Sequence, residues 1–306
     1  MIGAPATASS HRVQLLLALA AGCDTPSAGA SAQRALGLRP MSPEEHTAVF
    51  VLNLPPHASV YLGPEGQLGG EASDRVAGFW RALGLVPPGD PDHLTSLLAL
   101  YAQLSAAADD QGVRATTRST MGRMAHSLLW EHLWPWVPAY TRAVESLGVE
   151  PLARWASLLR ATLAHELPCA ANAVGDRLPL ALREAPAPVD ESGGVREALD
   201  ALVAPIRSGI ILTRKGLARA SATIGVGYRI GERRFALKAM LEQEPVATVA
   251  WLGREAERWS AAHAHDGSDL VSQWWATRAK DTARALTRQV VASPTISSGE
   301  VGGSTP

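Results

Sequence analysis

Apolar residues recur at three- and four-residue spacing along most of this 306-residue chain, which is the signature of one buried helix face. Leu15, Leu16 and Leu19 set a first amphipathic helix over 11–22. Val76, Phe79, Trp80 and Leu83 point inward from a helix over 71–84, and Leu94, Leu97, Leu98, Tyr101 and Leu104 from one over 90–106. Leu152, Trp155, Leu158, Leu159 and Leu163 stripe a helix over 149–167. Further helices are predicted over 138–147, 216–224, 232–242, 245–259 and 268–291. Local punctuation supports these limits. Ser42-Pro43-Glu44-Glu45 reads as a capping box, and Pro55-Pro56 stops the helix it opens. Asp90 and Pro91 suit an N-cap and a first helical position, with Asp92 and His93 in the first turn. Residues 24–32 read as a Ser/Gly/Ala-rich bend and 63–70 as a glycine-rich loop. Pro135 and Pro138 break the helical run through His132, Trp134 and Trp136, because each lacks an N–H and clashes with the preceding turn.

Composition favours helices over sheets. The apolar fraction is 46%, much of it Ala and Leu, while Phe and Tyr are few and long β-branched runs are absent. A net charge of −1 argues against a globally basic nucleic-acid binder. Two cysteines, Cys23 and Cys169, make no disulfide framework and fit a reducing compartment. The apolar run from Val13 to Gly22 ends at Cys23, like a lipoprotein cleavage site, but it is short for a membrane span and fits an amphipathic helix as well.

Several motifs fail on their own chemistry. The loop 63–70 lacks the Gly-Lys-Ser/Thr ending of a phosphate-cradling P-loop. In Gly225-Val226-Gly227-Tyr228-Arg229-Ile230-Gly231 the third glycine is one place late for a dinucleotide fingerprint, and no strand precedes it. His165-Glu166-Leu167-Pro168-Cys169 has zinc-helix spacing, but Pro168 is expected to interrupt it and no third ligand follows. His263-Ala264-His265-Asp266 reads as a polar loop. No nucleophile elbow, iron–sulfur cysteine cluster or acid–base carboxylate pair stands out.

Two stretches carry more. Pro91-Asp92-His93-Leu94 followed by an apolar helix, and His132-Leu133 followed by Trp136, Pro138 and Tyr140, together resemble the TorD-like family of redox-enzyme maturation chaperones. Read from the residues alone, Asp92 and His93 could simply cap a helix, Trp80 could be a core aromatic, and the tryptophans could staple two helices. The resemblance spans roughly the first 180 residues. It implies an all-helical, cytoplasmic, non-enzymatic chaperone, monomeric or homodimeric, that neither binds nucleic acid nor inserts into membranes. Its partner would be a molybdoenzyme catalytic subunit. The chaperone would bind that subunit's twin-arginine signal peptide, delay export and assist cofactor insertion. It would hold no permanent cofactor or metal, with at most transient contact to a molybdopterin-type cofactor. The implied peptide site has Asp92 and His93 as polar anchors and Trp80, Leu97, His132 and Trp136 shaping an apolar groove. Family members carry a Glu just ahead of the Pro-Asp-His element, where this chain has Gly89 or Asp90.

The expected organisation is a chaperone domain over 1–184, a linker over 185–194 crossed by few contacts, a helical extension over 195–292 and a disordered tail over 293–306. Within the extension Arg214, Lys215, Arg219, Arg229, Arg233, Arg234 and Lys238 are concentrated around a glycine turn. Residues 213–240 admit three readings: a helix-turn-helix on DNA, a solvated face, or a patch for an acidic partner. A stable accessory subunit of a redox complex is the other alternative to a chaperone.

Overall fold

Capping chemistry sets where the helices begin in the computed structural model, which describes residues 8–174, 177–188, 195–267 and 269–292. Helix α1 (Ala8–Ala21) carries the first apolar stripe. The expected bend over 24–32 is instead α2 (Pro26–Ala35): the Thr25 side chain accepts from Ala28 N and Pro26 occupies the first turn, so a small-residue run becomes helical. The Ser42 capping box forms as read, with both reciprocal bonds to Glu45, and opens α3 (Pro43–His46). The chain then widens into a π-helical turn at Thr47–Val51. Next come α4 (Ala58–Leu62) and α5 (Gly70–Ala82), the latter followed by left-handed Gly84.

Helix α6 (Leu94–Asp109) starts three residues later than an Asp90 cap suggested. Its N-cap is His93, whose ring nitrogen accepts from Thr95 N. Asp92 is drawn away to a neighbouring segment, so the capping role falls to the next side chain with a lone pair. Helix α7 (Ala115–Leu128) ends in a second π-helical turn at Leu129–Leu133, ahead of the Pro135 break, and α8 (Val137–Ser146) resumes. Helix α9 (Glu150–Val174) runs on through Pro168, past the expected end at 167. The Cys169 side chain lies outside the described residues.

After α10 (Leu180–Arg183), the extension consists of α11 (Val195–Val203), α12 (Pro205–Ser208), α13 (Arg214–Ile224), α14 (Arg233–Gln243), α15 (Pro245–Asp266) and α16 (Leu270–Ala292). The expected polar loop at 263–266 is the last turn of α15, and His263 is buried between Trp259 and Trp275. Residues 189–194 of the expected linker and the tail from 293 lie outside the described residues. The all-α expectation holds. No strand occurs among the described residues, where the sole extended pairing noted is an isolated bridge between His57 and His93. No helix there is long and apolar enough to cross a membrane.

Helices α1 and α6 pack together, as do α6 with α7, α8 with α9, and α15 with α16. Arg12 on α1 pairs with Glu166 on α9, which also accepts from Tyr101 on α6 at 2.9 Å, locking three helices together. The core does not stop at residue 184. Trp275 donates to the Pro135 carbonyl at 2.8 Å, and Trp134 to Asp269 at 3.0 Å. Arg233, half-buried, donates to the carbonyls of Leu212 and Gly66, each at 3.2 Å. Gly209, at φ 72°, passes so close to α16 that a Cβ would lie 2.3 Å from Ala279 N. Many contacts therefore cross the expected linker, and one apolar core spans both parts. The Pro135 break contributes to this: the Pro135 carbonyl accepts from Trp275 on α16.

Candidate functional site

The site grows from two short extended segments that cross. Ala58 N donates to the Asp92 carbonyl at 3.0 Å, and Leu94 N to the Pro56 carbonyl at 2.8 Å. This pairing sets the α4 and α6 N-termini side by side. The Asp92 carboxylate, 3% exposed, accepts from Ser59 N at 2.9 Å and from the Ser73 hydroxyl on α5 at 2.8 Å. It therefore caps α4 from a distance and ties α4, α5 and α6 together. A buried carboxylate holding two donors is a poor receptor for an incoming arginine.

The imidazoles of His57 and His93 meet edge to face, with ring centroids 4.7 Å apart. Burial holds both below the usual imidazole range, His93 at about 4, where repulsion from His57 adds to it and Asp24, Asp90 and Asp92 oppose it. Both rings are thus neutral near pH 7. Two exposed carboxylates, Asp24 and Asp90, flank this pair, and neither side chain forms a hydrogen bond or ion pair among the described residues. Trp80 closes one side: half-buried, it donates to the Pro91 carbonyl at 3.3 Å. Beyond it Leu85 and Val86 are exposed, Val86 at 90%. The surface thus offers carboxylates, neutral imidazoles, an indole edge and an apolar projection within one turn-and-loop cluster.

Of the six residues expected to line the groove, the structure brings Trp80, Asp92 and His93 together. Leu97 and Trp136 are both 0% exposed. Leu97 lies one turn inside α6, and Trp136 stacks on Tyr61 at 5.3 Å with an interplanar angle of 6°. Both belong to the floor beneath the site rather than to an open slot. His132 is buried against Phe79 at 4.8 Å, behind α5, with burial and the nearby Arg75 holding it near 4. Reasoning from sequence missed His57 and Asp24, which carried no motif of their own: the crossing of segments brings His57 to the site, and the packing of α1 on α6 brings Asp24. It made Asp90 the cap of α6 and Asp92 a polar anchor in the first turn; in the structure Asp90 is exposed, His93 caps α6 and Asp92 is buried. Among the described residues no cluster of three or more His, Cys, Asp or Glu side chains could hold a metal ion.

The cations of 213–240 are largely engaged within the molecule. Lys215 donates to the Leu147 carbonyl at 2.7 Å, Arg234 pairs with Asp200 at 2.5 Å and Lys238 with Glu242 at 3.6 Å, while Arg233 holds the two carbonyls described above. Lys215, Arg219 and Arg233 bind the extension to the helices before it.

Residues 19–142 match the family model described as nitrate reductase delta subunit. Over these residues, less than half of the chain, it is similar to the NarJ/TorD-type chaperone family, as the two motifs implied, and members of that family are chaperones of molybdoenzyme maturation. The match runs from the end of α1 into α8 and includes every residue of the site just described. The extension lies outside it. Neither a curated protein nor a solved structure gives a significant match.

Proposed function

We propose that this chain is a cytoplasmic chaperone dedicated to one molybdoenzyme catalytic subunit, and that the surface around His57 and His93 receives that subunit's twin-arginine leader. The observation that carries the reading is the flanking of two neutral imidazoles by exposed Asp24 and Asp90 beside Trp80 and Val86. Guanidinium groups pair favourably with exposed carboxylates, and the apolar stretch that follows in a leader needs an indole and aliphatic surface. In this reading the polar anchors are Asp90 and Asp24. Asp92 and His93 hold the platform, and Leu97 and Trp136 support it from below. Bound in this way, the leader is withheld from export while the apoenzyme remains open to its molybdopterin-type cofactor, which the chaperone touches only transiently.

The internal engagement of the 213–240 cations favours this over reading DNA. Capture of the tagged full chain from its source cells, followed by mass spectrometry, tests the proposal. The expected prey is an apoenzyme with a Ser/Thr-Arg-Arg leader or molybdopterin-binding domains. Stoichiometric recovery with a mature redox complex would favour an accessory subunit instead. Bound nucleic acid lost on raising the salt would favour a regulator.

A further inference from the structure

The extension carries a cavity of about 260 Å³ that the family match does not cover. It opens where α13 and α15 meet the end of α8, and its walls include Arg219, Thr223, Trp251, Glu255, Arg258 and Trp259. Its charges are unequal. Glu255 is committed, accepting from Arg258 and from the Trp259 indole N–H at 3.1 Å. Arg219 makes a single long bond, 3.4 Å to the Ser146 carbonyl at the end of α8. Arg258 is 64% exposed. Two guanidiniums against one engaged carboxylate leave a net positive mouth, and two indoles form the walls.

We propose that this cavity is a binding site for a small planar organic anion: one ring system against Trp251 and Trp259, and one phosphate or carboxylate group on Arg219 and Arg258. The chemistry follows from the walls. Guanidiniums select an anion with two acceptor oxygens, and indole faces select a flat ring. The volume is small against most ligand pockets, so it suits a ring with one anionic group and excludes a dinucleotide or a peptide segment. The occupant would join α13 and α15 of the extension to the end of α8, and it would bind without reference to the leader surface.

The test is calorimetric titration of the full chain with 1-naphthyl phosphate, 1-naphthoate, 1-naphthalenemethanol and inorganic phosphate. Saturable binding is expected for at least one of the two aromatic anions, and their ratio tells phosphate from carboxylate recognition. The neutral alcohol and inorganic phosphate are expected to bind about tenfold more weakly or worse, since each lacks one of the two contacts. Arg219→Met and Arg258→Met alter exposed or half-exposed side chains, so their folding is secure. Each is expected to weaken the aromatic anion about tenfold. Asp90→Asn, at the leader surface, should leave it unchanged. No saturable binding, equal binding of the neutral alcohol, or wild-type affinity in both arginine variants would each overturn the proposal.

Discussion

Replacing Asp92 separates a structural carboxylate from a recognition carboxylate. Asp92→Ala deletes the acceptor of the Ser59 N–H at 2.9 Å and of the Ser73 hydroxyl at 2.8 Å, inside a site only 3% exposed. Removing the cap leaves the buried Ser59 N–H without a partner, which costs about 1–3 kcal/mol. The Ser73 hydroxyl can rotate to another acceptor and contributes less. The expected destabilisation is therefore about 1–3 kcal/mol, read as a lowered urea midpoint with an unchanged slope. Asp92→Asn keeps a carbonyl oxygen for Ser59 N and turns its amide toward Ser73, whose hydroxyl can accept, so its loss should be about 1 kcal/mol. Asp90→Asn, on the exposed side, should move the midpoint by less than about 0.5 kcal/mol. If Asp92→Ala proved as mild as Asp90→Asn, the carboxylate would not be capping α4, and the division of roles argued above would fail.

Three further outcomes follow from the packing. A Cβ at Gly22 would lie 2.2 Å from Trp155 Nε1, which donates to the Leu19 carbonyl, so Gly22→Ala should cost about 2–4 kcal/mol in chemical denaturation, and a neutral effect would contradict the α1–α9 contact. His132 and His263 are held at about 4 chiefly by burial, below the 6.5 of an unfolded histidine. The unfolded chain therefore takes up protons first. Stability is full above about pH 6.5 and falls toward pH 4, by about 1–2 kcal/mol per group between pH 7 and 5; a urea midpoint that stayed level or rose over that range would refute the burial of both rings. Removing residues 195–306 uncovers Trp134, the Pro135 carbonyl and the Gly66 loop, so the fragment should aggregate or elute as oligomers in size exclusion. A monomeric fragment with a sharp unfolding transition would show that the first part has a core of its own.

The helical architecture was legible because it depends on spacing and caps. The Leu94–Leu104 stripe and the Ser42 capping box are local, and both form as the sequence indicates. The errors arose where a distant partner decided a local choice. Asp92 would cap its own helix in isolation, but Ser59 and Ser73 claim it, and His93 takes its place. Residues 24–32 contain too little apolar pattern to announce a helix, yet Thr25 and Pro26 start one. The joint core was hidden because the Pro/Gly-rich stretch near 185 resembles a linker whether or not the flanking parts touch. The motif residues Asp92 and His93 were visible from their sequence context. His57 became a candidate only once the chain crossing placed it beside His93, and Asp24 only once α1 packed on α6.

The most direct measurement is calorimetric titration of the client's twin-arginine leader peptide into the wild-type chain and into the double variant Asp24→Asn/Asp90→Asn, with the urea midpoint of each determined alongside. Two exposed ion pairs contribute together about 1–2 kcal/mol, so the account predicts wild-type binding and a roughly tenfold weaker variant of unchanged stability. Equal affinity in the two proteins, or no binding by the wild type, would contradict it.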